Sequence, residues 1–382
     1  MRASILAAAA CAALFCCIAF APSALAGVSN PDISVIGQPS LRWTDAAGDP
    51  ARKRLTLDPG ETEFIFDGAL NPYARGTFVL SAGADGAGIE EAYFTLTRGL
   101  PGGLALKGGQ YRAGFGKLNM QHPHAYPFAD RFHVMSAYLP GDEAFNETGV
   151  QLSELLSAGS TAITVSLDAL QGDTFRRPRE NSGALNDPIE VHGEGADRDE
   201  EPRAALLGRV SAFVPLDDRS GLELGVSATR GTNNVAAATT TTLFGADAKA
   251  KLWRSADSYL LLQGEFFSLN REDAGWDETA AAYTTTRVKP RGGYLYADYA
   301  FSRRLDAGLS FERWQDEGDT SVSHSAFGAF AGLALMEETT VFRLGWERLM
   351  PGAPDGAETP EAVNSLTLRV IFSMGPHKAH QF

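Results

Sequence analysis

Beyond its first 26 residues the chain has no cysteine, because Cys11, Cys16 and Cys17 are its only three. Disulfides and thiolate-held metals are therefore excluded from whatever folds after that point. Long apolar runs are missing too: no later stretch approaches the roughly 20 consecutive residues that a membrane helix needs. Positive charge is scarce, with 33 Lys and Arg against 47 Asp and Glu and a formal net charge of −14. Such a balance argues against nucleic acid or an anionic membrane surface as a partner. No phosphate loop, GxSxG or HExxH pattern is present, which removes the commonest signatures of enzymatic chemistry.

What is there begins with an export signal. Arg2, an apolar run over 5–20, and the small residues Ala24 and Ala26 before Gly27 have the layout of a cleavable secretory peptide, residues 1–26. Its removal leaves residues 27–382 and, with Arg2 gone, takes the formal charge from −14 to −15. An exported chain without an apolar helix can still cross a membrane as a closed β-barrel, because closure satisfies every backbone group without water.

The alternation of residues points that way. Leu222, Leu224, Val226 and Ala228 oppose Glu223, Gly225, Ser227 and Thr229, and Phe244, Ala246, Ala248, Ala250 and Leu252 oppose Gly245, Asp247, Lys249 and Lys251. A period of two puts one set on each face of a strand. Sixteen such stretches can be read, at 30–44, 61–70, 73–82, 88–97, 104–112, 149–156, 161–170, 204–214, 222–230, 243–252, 259–270, 287–301, 305–314, 323–335, 341–349 and 362–374. Connections alternate between short turns and longer polar loops, with 83–87 the short exception. Both features predict an all-β, antiparallel, up-and-down transmembrane barrel over residues 27–382, with short periplasmic turns and long outer loops. Charges on the second face need water, so the lumen of a barrel of this size is expected to be wet. Two long connections stand out: 118–148, expected to fold into the lumen, and the acidic 173–202, expected to be extracellular.

NPDISVIG at 30–37, YARGTFVL at 73–80, EEAYFTL at 90–96, the block GGQYRAGFGKLNMQHPHAYPFADRF at 108–132 and the ending GPHKAHQF at 375–382 carry a resemblance. The chain resembles a family of Gram-negative outer-membrane porin-like proteins, often labelled zinc-regulated TonB-dependent outer membrane receptors and similar to phosphate-selective porins of the O/P type. The resemblance implies an outer-membrane location in contact with lipid and passive passage of small solutes or ions. It also implies recognition by the barrel-assembly machinery through the last strand and Phe382, and a homotrimer. The receptor half of the label implies a plug domain, for which 27–30 leaves no room.

Candidate site residues cluster in and before the first long loop. Lys107, Arg112 and Lys117, with Asp130 and Arg131 beyond them, are candidates to line a pore, where cations favour anions and carboxylates set a field against them. The alternative is that they are ordinary charges on a wet face. His122 and His124, at a spacing of two, are candidates to share zinc with His133 or Asp130; the alternative is that HPHAYP is a rigid turn packed on the wall. His377 and His380 form a second, weaker metal candidate. The reading is therefore a porin-like channel with no enzymatic activity and no obligatory cofactor, with two alternatives: a zinc-linked uptake channel, and an outer-membrane hydrolase. For the hydrolase the nearest hint is His324 beside Ser325, neighbours that point to opposite faces of a strand.

Overall fold

Inward and outward rows are set one residue apart in register. Val165, Val210, Val226, Ala246 and Phe266 stand opposite one another across five neighbouring strands, and Val210, Val226 and Phe266 are exposed on the outer face. One residue away, Arg209, Ser227, Gly245 and Phe267 form a second row, of which Arg209, Ser227 and Phe267 are buried inside. The outer row is a lipid-facing belt, and the inner row faces the lumen.

The computed structural model describes residues 31–84, 86–141, 144–176, 203–277, 279–336 and 339–375. Residues 1–30, which include the expected export signal at 1–26, the acidic stretch 177–202 and the tail with His377, His380 and Phe382 lie outside the described residues. Nineteen β segments form one sheet. Three strands are interrupted once each, between Asp32–Gly37 and Ser40–Thr44, between Leu55–Asp58 and Thr62–Ala69, and between Ala282–Val288 and Arg291–Ala300. The barrel therefore has sixteen antiparallel strands and is closed. Its seam pairs the first strand with the last, Gly37 opposite Phe372 and Leu41 opposite Leu368.

Each interruption contains a proline: Pro39, Pro59 or Pro290. Proline cannot donate to the ladder, so it breaks the strand locally. Its carbonyl still serves, since Val370 N–H donates to Pro39 O at 2.9 Å and Leu269 N–H to Pro290 O at 3.0 Å.

Several strands run further than the apolar alternation suggests. Gly221–Asn234, Thr239–Trp253 and Tyr259–Asp277 extend the stretches 222–230, 243–252 and 259–270. Many of the added residues, among them Thr239, Thr241, Asn233 and Arg271, are polar and carry no apolar alternation. Leu55–Asp58 is a short strand inside a stretch that reads as polar loop.

The described residues between Ala113 and Phe145 lie inside the barrel. Phe115, Leu118, Val134, Met135 and Phe145 have no exposed surface, and they pack with wall residues Phe267, Tyr294, Tyr296 and Phe330 in one buried cluster. At this level the interior is an apolar layer instead of the wet lumen that the wall charges predict. Small wall residues make the room. A Cβ on Gly245 would come within 2.6 Å of the Phe115 ring, and one on Gly231 within 2.4 Å of the Phe175 ring.

Candidate functional site

The lumenal loop is closed at its neck and fixed at its flanks. Ala113 N–H donates to Phe145 O at 2.8 Å. Asn119, almost wholly buried, donates to the carbonyls of Ala113 (2.8 Å) and Phe145 (3.0 Å) and accepts from Phe145 N–H (3.0 Å). One amide thus replaces the ladder that the two strand ends have lost.

Wall carboxylates then cap the loop's own turns. Glu265 Oε1 accepts from the backbone N–H groups of Lys117 (2.9 Å) and Leu118 (2.7 Å) and is itself held by the Tyr294 hydroxyl at 2.6 Å. Gly116, at φ +65°, lies so close that a Cβ would fall 2.0 Å from Glu265 Oε2, so no side chain fits there. Lys117 Nζ reaches Glu223 on a further strand at 2.6 Å. On the far side, Glu312 accepts from His133 N–H (3.1 Å) and Val134 N–H (2.9 Å), the open N–H groups at the start of the short helix His133–Tyr138. Phe132 stacks on Tyr294 with centroids 4.1 Å apart.

His133 Nε2 lies 3.0 Å from Glu347, and its ring stacks on Trp314. Burial lowers the proton affinity of this ring, but the Glu347 contact and the Glu312 charge outweigh it and raise the pKa above the ordinary imidazole value. Asp130 pairs with Arg42 (3.5 Å) and Arg369 (3.4 Å) of the adjoining wall. The Arg42 side chain is 49% exposed and that of Asp130 36%, so water reaches this side of the loop. Lys107 lies on the wall with its ammonium over the rings of Tyr93 and Tyr111. Arg112 is buried, paired with Glu90 and donating to Gln121 O at 3.2 Å. Arg131 is half-buried in the loop. The five residues proposed from the sequence to line a pore are therefore spread over several environments, and Arg112 and Lys117 are placed in buried ion pairs.

The three histidines are divided between two places. His122 and His124 converge on Glu63 of the strand Thr62–Ala69, a carboxylate with no exposed surface. His124 Nδ1 is 3.0 Å from Glu63 Oε1, His122 Nδ1 is 3.1 Å from Glu63 Oε2, and His122 Nε2 is 3.0 Å from Glu91 Oε2. Burial works against a proton on His122, yet Glu63, Glu90 and Glu91 together raise its pKa well above the ordinary range. His133 joins Glu312 and Glu347 instead, and there Glu312 is already engaged by two backbone donors. Asp130, named from the sequence as a third ligand, lies with Arg42 and Arg369. Glu63, Glu265, Glu312 and Asn119 were not legible as site residues. The wall glutamates show in sequence only as charges on the inner face of a strand, with nothing to say which loop residue each one meets.

A cavity of about 480 Å³ opens beside the helix His133–Tyr138, lined among others by Tyr138, Pro140, Phe175, Leu269, Arg271 and Glu317. Phe175, in the first residues of the acidic connection, is buried against Phe145. His324 Nδ1 accepts the Gly352 N–H at 3.1 Å, and its ring stacks on Trp314.

No protein-family model matches the chain. An uncharacterised protein of Aquifex aeolicus is 28% identical over 336 residues, 84% of this chain and 69% of that protein. Among solved structures, the outer membrane channel DcaP of Acinetobacter baumannii superposes with a TM-score of 0.55 at 12% identity, over 91% of this chain and 99% of that one. OprB of Pseudomonas putida gives 0.57 at 10% identity, over 90% and 94%. OmpT of Vibrio cholerae, an outer membrane protein folded in vitro and solved in a trimer form, gives 0.54 at 8% identity, over 91% and 100%. With its lipid-facing belt and closed sixteen-stranded sheet, the chain has the porin-type fold of Gram-negative outer-membrane β-barrels.

Proposed function

We propose that this barrel is a passive channel for small hydrophilic solutes or ions, with the loop between Arg112 and Asn146 as its constriction. The observation that carries the reading is a set of opposed charges, on the wall and on the loop, that water reaches. Arg42 and Arg369 project from the wall, and Asp130 projects from the loop against them. Opposed charges in a narrow lumen set a transverse field that discriminates by sign and size. No covalent chemistry is assigned to it. Assembly as a homotrimer, as in the trimer form of the Vibrio cholerae OmpT, belongs to the same reading.

Planar-bilayer recording of the purified protein tests it. Steady ohmic steps are expected, with an ion preference that shifts toward cations when Arg42 and Arg369 are both replaced by Gln. A folded barrel that never conducts would overturn the proposal. An unchanged preference in the double variant would move the filter elsewhere, with Lys107 as the next residue to replace.

A further inference from the structure

The surroundings of Glu63 hold an unbalanced charge and a contact without a bridging atom. Three half- to fully buried carboxylates, Glu63, Glu90 and Glu91, converge there, and among the described contacts they meet one guanidinium, that of Arg112. The three carboxylates and the guanidinium together carry a formal charge of −2, which a positive centre at the imidazoles reduces. The approach of His122 Nε2 to the Glu91 carboxylate requires the ring proton on Nε2, which in a neutral ring leaves a bare lone pair on Nδ1. That nitrogen faces Glu63 Oε2 at 3.1 Å. Both atoms are buried and neither has a hydrogen-bond partner. Two lone pairs at such a distance repel unless a positive centre, either a proton on Nδ1 or a metal ion, lies between them.

A carboxylate on the far nitrogen is also what orients an imidazole toward a metal ion, fixing its tautomer and raising its basicity. Glu91 is placed to do this for His122. His124 supplies a further nitrogen, and one donor atom from each of Glu63, His122 and His124 lies within 4.8 Å of the other two. Donors bound at about 2.0–2.2 Å can be at most roughly 4.3 Å apart, so small side-chain rotations close the set. Two imidazoles and a carboxylate suit zinc and its neighbours in the first transition row, and not calcium or magnesium.

We propose that Glu63, His122 and His124 bind one divalent transition-metal cation of the zinc type, and that this ion ties the lumenal loop to the strand Thr62–Ala69. The ion is a fastener of the loop and not a transported solute, so the inference holds whether or not the barrel conducts. A bound ion stabilises the folded state by mass action, and the loop is the part it stabilises most.

The test is zinc titration of the purified, chelator-stripped full-length barrel, by calorimetry or by competition with a chromophoric chelator. One equivalent is expected to bind, and Glu63→Gln, His122→Gln and His124→Gln are each expected to weaken it at least 10-fold. Replacement of His377 and His380 together should leave binding unchanged. Zinc should raise the heat-unfolding midpoint of the parent protein and leave those of the three variants where they are. Absence of binding, or binding that survives all three substitutions or depends on the tail histidines, would overturn the proposal. Should a variant fail to give a heat-modifiable barrel on electrophoresis, the zinc-edge absorption spectrum of the unaltered protein decides. Two imidazoles in the coordination shell support the site, and an all-oxygen shell rules it out.

Discussion

At the scale of single residues, the loop depends on side chains that take over the work of a missing ladder. Asn119 makes three hydrogen bonds to the backbone of Ala113 and Phe145 while almost fully buried. Asn119→Ala would strand the buried Phe145 N–H at the neck, at a cost of about 1–3 kcal/mol, while the carbonyls of Ala113 and Phe145 keep the N–H groups of Phe115 and Ala113. Denaturant-induced release of the loop, followed by cleavage at Lys117 or Arg131, should shift to lower denaturant by a matching amount; an unchanged midpoint would show that the neck closes without this amide. Nothing in the sequence marks Asn119 apart from any loop asparagine. Its importance comes from where Ala113 and Phe145 meet, a distance of 32 positions along the chain that local pattern does not encode. The histidines were visible as metal-type residues, because spacing and residue type are local properties. Glu63 was not, because it is 59 positions from His122 and reads only as one charge in an alternating strand.

Among the elements, strands were far more legible than the loop. Alternation of apolar and polar atoms follows from a fixed lipid belt on one face, so Val226 and Phe266 announced their strands. It fails where no lipid constrains the pattern, which is why Tyr259–Asp277 extends past its apolar part and why Leu55–Asp58 was hidden in a polar stretch. The short helix His133–Tyr138 is held by Glu312 at its start and by His133 on Glu347. The raised pKa of His133 fixes the sign of its pH dependence. A group bound more tightly when protonated contributes fully below its unfolded pKa of about 6.5, and the contribution is lost as pH rises through the higher folded value. The hold of this helix on Glu347 should therefore weaken on the alkaline side of neutrality, with Glu312, Glu347 and Asp130 as the charges that face the ring. A titration of the His133 ring by NMR should show a midpoint above that of an exposed histidine. Replacing Glu347 by Gln should bring it down, and a midpoint at or below the ordinary value would refute the assignment.

On the scale of the whole molecule, the loop is anchored to strands on both sides of it in the chain. Glu63 and Glu91, which meet His122 and His124, lie before the loop in the chain, whereas Glu223, Glu265, Glu312 and Glu347, which hold Lys117, Leu118 and the helix His133–Tyr138, lie after it, on strands up to the last but one. Time therefore enters the architecture. The contacts of Lys117, Leu118 and the helix His133–Tyr138 cannot form until Tyr259–Asp277, Leu305–Gln315 and Thr340–Met350 have paired, whereas those strands can pair without them. During refolding into detergent or lipid, cleavage between Lys117 and Arg131 should persist until the heat-resistant barrel has formed and stop only then; protection that precedes barrel formation would contradict this order. The far side of the lumen crossing is thus the last part of the molecule to be made, and a chain halted before its final strands would leave an incomplete wall and a loop held only at His122 and His124.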